Sequence, residues 1–329
     1  MFSLIAHPAQ SVTQLAFSPR ERNELLVSSW DCTLRLYDVA SNQPKATHTY
    51  NAPILDCCYD ASGSYAFAAG LDCAVHRINL ERGVRDPLAL ACQEKGISSL
   101  AYNATLTQLF SGSWDGSLGI LDPRMVTGRG LIGRLSLGEG QIYSISTSGT
   151  SLVAATASKK LVLFDARYMS APLEVRLSPL KTQLRKVAMH PDARSFVVGS
   201  TEGRCAIEYV DSGSTELQSL KYAFKCHRTE DVCYPVNAIA YHPLGTFATG
   251  GSDGAVYVWD GFRRKRQLAL PPFPQPVSAL AFNSDGGLLA IASSRTFEHG
   301  EEGDPNNNNI YVRVMQEAEI KPKTDKNAK

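Results

Sequence analysis

The chain has 329 residues, 33 basic against 32 acidic side chains and a hydrophobic fraction of 43%. Such nearly cancelling charge gives no indication of a polyelectrolyte partner such as bulk duplex DNA, so nucleic-acid binding is not expected. We find no apolar run of membrane-spanning length and no signal-peptide pattern at the start, and expect a soluble protein that is neither secreted nor membrane-inserted. The eight cysteines form no C-x-x-C pair, which predicts buried, reduced thiols and no metal site.

In chain order, a unit of three short apolar segments separated by turns occurs seven times. The first copy reads VTQLAFSP, ELLVSSW and TLRLYDV; the sixth reads NAIAYHP, TFATGGS and AVYVWD. Most copies are about 40–45 residues apart, which is the period of WD repeats. The turns that follow the second segment lie near Asp31, Asp72, Asp115, Lys159, Glu202, Asp253 and Arg295. The longer interval from Glu202 to Asp253 predicts an extended loop.

The composition of each segment favours β-strands. The segments are short, rich in β-branched and aromatic residues, and bounded by turn residues. Asp115-Gly116 and Asp253-Gly254 are typical of hairpin turns that need positive φ, and Trp259-Asp260 is a literal WD dipeptide. The sequence therefore predicts an all-β, seven-bladed WD-repeat β-propeller over residues 1–320, followed by a disordered polar tail at 321–329.

Closure of the ring requires a contribution from the N-terminus. Only a polar, Lys-rich segment follows IYVRVMQ, so the seventh blade lacks an outer strand, and an open edge would be left exposed. We predict that residues near Phe2–Ile5 supply that strand. The segment HGEEGDPNNNN, residues 299–309, is predicted to be a disordered insertion because it has no apolar anchor.

No catalytic arrangement is found in the sequence. The string Gly250-Gly251-Ser252-Asp253-Gly254 matches a nucleophile elbow, but that elbow needs a strand-to-helix turn and here lies in a repeated hairpin. P-loop, dinucleotide-binding and zinc-protease motifs are missing from the sequence. We therefore expect a non-enzymatic protein without cofactors.

Two groups of residues stand out as candidate binding sites. Trp30 and Trp114 occupy the same repeat position, at a turn that opens toward one face; each either supports its neighbours or docks a partner, and the pair favours docking. The fifth repeat lacks the usual turn Asp and carries Arg204, and the segment KYAFKCHR contributes Lys225. Solvated surface charge is the simpler interpretation, whereas an Arg and a Lys held together could bind a phosphate.

The motifs LLVSSWDCTLRLYDV, EGRCAIEYVD, KYAFKCHR and YPVNAIAYHPLGTFATGGSDG are more specific than generic WD repeats. Across essentially the whole chain, the sequence resembles the spindle-checkpoint WD-repeat proteins of the third budding-uninhibited-by-benzimidazole type. It is also similar to the related messenger-RNA export factor of the nuclear pore, which shares the FKCHR and GSDG stretches.

The resemblance implies a monomeric kinetochore adaptor that is nuclear, partly cytoplasmic, and at kinetochores in mitosis. It implies binding of GLEBS segments of a checkpoint kinase and its Mad-type relative on one face, and of phosphorylated MELT repeats of a kinetochore scaffold. By motif, Arg204 and Lys225 fall where the family contacts the MELT phosphothreonine, and Trp30 and Arg185 where it meets GLEBS. The repeat position adds two further candidates for GLEBS binding, Trp114 and Tyr143.

A second function is kept as an alternative: a nuclear-pore messenger-RNA export factor that binds a nucleoporin GLEBS segment. A basic surface able to bind single-stranded RNA would favour that alternative. The near-neutral net charge favours the checkpoint function.

Overall fold

A closed ring of seven antiparallel sheets makes up the computed structural model, which describes residues 1–87, 89–125, 128–296 and 307–322. The inner strand of each sheet packs on the inner strands of its two neighbours, and the last packs on the first. The predicted all-β, seven-bladed propeller is therefore confirmed. Within the described residues, no helix is long and apolar enough to cross a membrane.

The first four blades follow the chain from its start. Blade one contains β2 Val12–Phe17, β3 Glu24–Ser29, β4 Thr33–Asp38 and β5 Gln43–Thr49. Blade two contains β6 Ile54–Tyr59, β7 Tyr65–Gly70 and β8 Ala74–Asn79, with the short strands β9 Val84–Arg85 and β10 Ala91–Cys92 both pairing with β8. Blade three contains β11 Ile97–Asn103, β12 Gln108–Ser113, β13 Ser117–Leu121 and β14 Leu131–Ser136. Blade four contains β15 Ile142–Ser148, β16 Ser151–Thr156, β17 Lys160–Asp165 and β18 Glu174–Leu177.

The last three blades complete the ring. Blade five contains β19 Leu184–Met189, β20 Ser195–Ser200, β21 Arg204–Tyr209 and β22 Tyr222–Lys225. Blade six contains β23 Val236–Tyr241, β24 Phe247–Gly251, β25 Val256–Asp260 and β26 Lys265–Ala269. Blade seven contains β27 Val277–Phe282, β28 Leu288–Ser293, β29 Asn309–Val314 and β1 Phe2–Ser3. The helices are α1 Thr215–Leu220, in the predicted long interval of blade five, and α2 Glu317–Ile320.

The second strand of each blade is buried along all or nearly all of its length. The second strands lie between neighbouring blades, and β20 is buried along its entire length. Packing between blades forms the core: one cluster joins Val153 and Leu163 of blade four to Val187 and Phe196 of blade five. The outer strands alternate between exposed and half-buried residues, which is why their sequences are polar and hard to recognise.

One backbone hydrogen bond recurs in every blade and defines the face on which the turns between second and third strands lie. The first residue after the second strand donates its N–H to the carbonyl of the residue directly before the inner strand. These donors are Trp30, Leu71, Trp114, Ala157, Thr201, Ser252 and Ser294. The bond holds each of these turns beside the start of its own inner strand, and we call this side of the disc the top face.

The N-terminus closes the seventh blade as predicted. Strand β1 pairs with β29 in antiparallel register, and the N–H of Leu4 donates to the carbonyl of Ile310 at 2.8 Å. Ile5, the last residue of the predicted segment, lies beyond the strand. Most of the insertion at 299–309 and of the tail at 321–329 lies outside the described residues.

The cysteines differ in part from the expectation of buried thiols. All eight are free, but only Cys57 and Cys205 are buried, while Cys92 and Cys233 are exposed. Burial raises the pKa of the Cys57 thiol to about 12, so that this thiol stays protonated. The prediction of burial was wrong for the exposed two because they lie at the ends of short strands and in loops, where a strand-like run in the sequence does not guarantee a covered side.

Replacing Leu4 with alanine tests the closure of the ring. Leu4 is 2% exposed within the core shared by blades one and seven, so its loss should lower the free energy of unfolding by about 2–5 kcal/mol. Chemical denaturation measures the change. The matched control is Ile5→Ala, since Ile5 is 45% exposed, and an equal loss in both variants would contradict the proposed closure.

Candidate functional site

A pocket of about 310 Å³ lies on the top face where blades two to five meet. Three predicted GLEBS residues line it together: Trp114 of blade three, Tyr143 of blade four and Arg185 of blade five. The remaining lining residues are Leu55, Ser98, Gln183, Leu184 and Thr201. The pocket thus combines an aromatic wall, apolar side chains and a cation, a mixture suited to binding a peptide.

A β-bulge positions the side chains of this pocket. In each inner strand the first residue is buried, and the strand register then shifts across the second residue. The bulged second residues are Thr13, Leu55, Ser98, Tyr143, Arg185, Asn237 and Ser278. A bulge redirects a side chain out of the regular alternation. Leu55, Ser98, Tyr143 and Arg185 therefore enter one pocket although long stretches of sequence separate them.

Leu55 and Ser98 were missed at the sequence level. The signal was present, because each is the second residue of its inner strand, like Tyr143 and Arg185. Neither residue type suggests binding by itself, and the shared bulge is visible only once the strands are paired.

The indole of Trp114 also packs within its own part of the ring. A Cβ added to Gly96 would lie 3.2 Å from Cε3 of Trp114 and 3.1 Å from Leu71, so the indole packs closely against the backbone at Gly96. Trp114 therefore packs against its neighbours and also lines the pocket, and its role in docking a partner stays a prediction.

Trp30 differs from Trp114 despite its equivalent repeat position. Its N–H makes the recurring bond to Ser11 and it is half-buried, but it belongs to blade one and does not line this pocket. The structure places Trp30 on the same face without bringing it to the other three predicted residues.

Arg204 and Lys225 lie directly opposite each other on neighbouring strands. Arg204 begins β21, Lys225 ends β22, and the two are cross-strand partners. The Nε of Arg204 is buried and has no hydrogen-bond partner among the residues that the structure describes, and Lys225 is exposed. Across the described ranges, neither forms an ion pair with an acidic side chain. Like charges directly opposite each other destabilise a sheet, so this pair is suited to an anion that would neutralise it.

The turn before Arg204 connects this basic pair to the pocket. Thr201 lines the pocket, and Gly203 precedes Arg204 with a φ of +64°. A Cβ on Gly203 would lie 2.0 Å from the carbonyl oxygen of His227, so this turn of the EGR motif needs glycine. The short turn places the pocket and the basic pair on one edge of blade five.

Two other basic residues of KYAFKCHR are occupied elsewhere. Lys221 forms an ion pair with Glu208 at 2.9 Å. His227 is fully buried; its Nδ1 lies 2.8 Å from Asp253 Oδ1, and its Nε2 lies 3.0 Å from Thr249 Oγ1. Trp259 Nε1 also donates to Thr249, at 2.9 Å. His227 is therefore not a surface cation, because its contacts join blade five to blade six.

Removing the hydroxyl of Thr249 tests this link. Thr249→Val removes the hydrogen-bond partner of His227 Nε2 and of Trp259 Nε1, and leaving a buried group of this kind unpaired costs about 1–3 kcal/mol. We expect a lower free energy of unfolding in urea. Thr47→Val, at an exposed position of β5, is the control, and equal stability of the two variants would contradict the role of Thr249.

Comparisons with known proteins agree with the propeller fold and reduce the number of functions to be considered. The family described as WD domain, G-beta repeat matches residues 1–38, 88–122 and 218–260. The chain is 42% identical to mitotic checkpoint protein BUB3.1 of Arabidopsis thaliana, covering 96% of this chain and 93% of that protein. It is 38% identical to mitotic checkpoint protein bub3 of Dictyostelium discoideum, covering 98% and 97%. Identity to the mRNA export factor GLE2 of Chaetomium thermophilum is 31%, covering 94% and 87%.

Proposed function

The chain belongs to the BUB3 family of mitotic checkpoint proteins, and from that premise we propose that it is a two-ligand adaptor of the spindle assembly checkpoint. It acts in the mitotic checkpoint through protein–protein interaction. In this proposal its top face binds the GLEBS segment of a checkpoint kinase or of its Mad-type relative, and its basic pair binds phosphorylated MELT motifs of a kinetochore scaffold. The protein would act in the nucleus, with some in the cytoplasm, and at kinetochores in mitosis.

The observation that carries the proposal is the direct pairing of Arg204 with Lys225. A phosphothreonine adds a charge of about −1.5 to −2 and three acceptor oxygens. The guanidinium can bond two of those oxygens while the ammonium neutralises the remainder, and an unphosphorylated threonine offers neither. Binding at this pair would therefore depend on phosphorylation of the scaffold.

The top pocket supports the GLEBS half of the proposal. Trp114 and Tyr143 provide flat apolar surfaces that lose little conformational entropy on binding, and Arg185 opposes acidic residues of the segment. The pocket and the basic pair share the edge of blade five but use different residues. Two ligands can thus be held together, the kinase segment by the pocket and the scaffold by its phosphate.

The messenger-RNA export function remains the second candidate, since GLE2 and the RAE1 protein of Arabidopsis thaliana are also similar to this chain. The higher identity to the checkpoint relatives favours the first function. An affinity capture from mitotic extract distinguishes them: recovery of checkpoint kinases supports the first, and recovery of nucleoporins without kinases supports the second.

Simultaneous binding tests the adaptor itself. We expect the purified protein, saturated with a GLEBS peptide, still to bind a phosphorylated MELT peptide in calorimetry, with an affinity similar to that of the free protein. Competition between the two peptides would contradict separate sites. Loss of MELT binding after phosphatase treatment of the peptide is the internal control.

A further inference from the structure

Two cysteine side chains meet near the outer edge of blade five. Cys205 is the second residue of β21, and Cys226 directly follows β22. Their sulfur atoms lie 3.6 Å apart, although the two residues are 21 positions apart in the sequence. The structure describes all eight cysteines of the chain, and no second pair of thiols among them forms a hydrogen bond. Cys205 and Cys226 therefore form a dithiol.

Strand register explains why the two thiols point toward each other. Cys205 pairs with Phe224, two residues before Cys226, so both cysteines lie on one face of the sheet. The N–H of Cys226 donates to the carbonyl of Gly203 at 2.9 Å, which continues the pairing of the two chain segments beyond the end of β22. The cysteines are diagonal neighbours across this antiparallel pair, a position from which side chains still reach each other.

The two thiols differ in their exposure to solvent. Cys205 is fully buried, whereas Cys226 is partly exposed. Burial and, after it, the adjacent Cys226 thiol raise the pKa of the Cys205 thiol, which stays protonated at neutral pH. A dissolved oxidant therefore reaches Cys226 first, and Cys205 lies directly behind it as the second sulfur.

We propose that Cys205 and Cys226 form a reversible disulfide when the protein meets hydrogen peroxide. Once deprotonated, the Cys226 sulfur attacks one peroxide oxygen; the O–O bond breaks, a sulfenic acid forms, and the departing hydroxide takes up a proton as water. The Cys205 sulfur then attacks the Cys226 sulfur, the S–O bond breaks, and the departing hydroxide takes the Cys205 proton to leave as a second water. The two thiols lose two electrons in total, and the peroxide gains them.

Only a small movement is needed for the bond to form. The sulfurs of a disulfide lie about 2.0 Å apart, so the two atoms must approach by about 1.6 Å, which side-chain rotation can supply. Two molecules of a thiol such as glutathione reverse the reaction by thiol–disulfide exchange. Where thiols are mostly kept reduced, a disulfide of this kind is transient and senses oxidation.

The disulfide would lie directly beside the basic pair. Cys205 follows Arg204 and Cys226 follows Lys225 in the chain, while the cations lie on the opposite face of the sheet. Strand β22 is the outer strand of its blade, and like charges at its end weaken its pairing with β21. The bond would hold that end in place and preorganise the two cations. Tighter binding of a phosphate in the oxidised state rests on the proposed function, whereas the disulfide itself does not.

Mass spectrometry of the full chain after peroxide treatment tests the disulfide. Cys92→Ser and Cys233→Ser remove the two exposed thiols, so that bonds between molecules do not interfere. Trypsin cleaves after Lys and Arg, and the disulfide would therefore join fragment 205–221 to fragment 226–228. We expect this linked pair in the oxidised sample and its loss after reduction with dithiothreitol.

Calorimetry of the reduced and oxidised proteins with phosphorylated MELT peptide tests the effect on binding. We expect the oxidised protein to bind roughly twofold to tenfold more tightly, because preorganisation removes part of the entropy cost of ordering the two cations. Cys205→Val should bind equally in both states, at the affinity of the reduced wild type. Cys57→Ala, which removes a buried thiol elsewhere, is the matched control and should respond to the oxidant like the wild type.

Each outcome assigns failure to one part of the proposal. Fragments that stay separate after peroxide treatment, or a sulfinic acid at Cys226 beside a free Cys205, would overturn the disulfide. A disulfide that forms without changing the affinity would overturn its effect on the basic pair. A reduced protein that does not prefer the phosphorylated peptide would instead count against the adaptor function, so the two failures are distinguishable.

Discussion

Replacing Arg204 with alanine is expected to remove most of the preference of the protein for phosphorylated over unphosphorylated MELT peptide. Within the described part of the chain, the Nε of Arg204 has no hydrogen-bond partner, so Arg204 need not first break a bond at Nε when it binds a phosphate. A hydrogen bond to a charged group contributes about 1.5–3 kcal/mol. Loss of one such bond should therefore lower affinity for the phosphopeptide by roughly tenfold to a hundredfold, and leave the weak binding of the plain peptide nearly unchanged.

Calorimetry with paired phosphorylated and plain peptides measures this ratio. Arg204→Lys should retain part of the preference, since it keeps the charge but not the two-pronged geometry. Lys95→Ala, which removes an exposed cation elsewhere on the chain, should have little effect. An Arg204→Ala variant that discriminates as well as the wild type would show that the phosphate binds elsewhere.

Replacing Trp114 with alanine should weaken binding of a GLEBS peptide by at least about tenfold. Buried aromatic side chains at the centre of an interface commonly contribute about 2 kcal/mol or more to binding. Trp114 forms a wall of the top pocket beside Tyr143 and Arg185, so its removal takes away the largest apolar surface there.

Trp30→Ala is the matched control for this second prediction. Trp30 has the same residue type, repeat position and backbone hydrogen bond, but does not line the pocket. We expect a clearly smaller loss of affinity, measured by titration after both variants are shown to be folded by circular dichroism. Equal losses would mean that the pocket is not the centre of the GLEBS site.

Comparing Trp30 with Trp114 shows what the sequence repeat can and cannot predict about the binding site. A repeat assigns equivalent positions, and both tryptophans do lie at the same turn on the same face. It does not say which equivalent positions come together, since that depends on which blades are neighbours and how their inner strands bulge. Leu55 and Ser98 were missed for the same reason, although they occupy the positions of Tyr143 and Arg185.

The segment KYAFKCHR shows a second limit of prediction from sequence, namely which basic residues stay available after folding. In the sequence, Lys221, Lys225 and His227 form one basic run. In the fold, Lys221 is neutralised by Glu208 and His227 is buried against blade six, which leaves Lys225 opposite Arg204. Which cation stays available depends on acidic groups supplied by other strands, so composition cannot reveal it.

The sequence by itself determined the strands, their turns, the number of blades and the need for the N-terminus to close the ring. These follow from local properties: the repeat period, turn residues with positive φ, and apolar segments too short to be covered alone. Only the tertiary structure decided which candidate residues share a site. The top pocket and the Arg204–Lys225 pair both depend on strand register, because a shift of one residue turns every side chain to the opposite face.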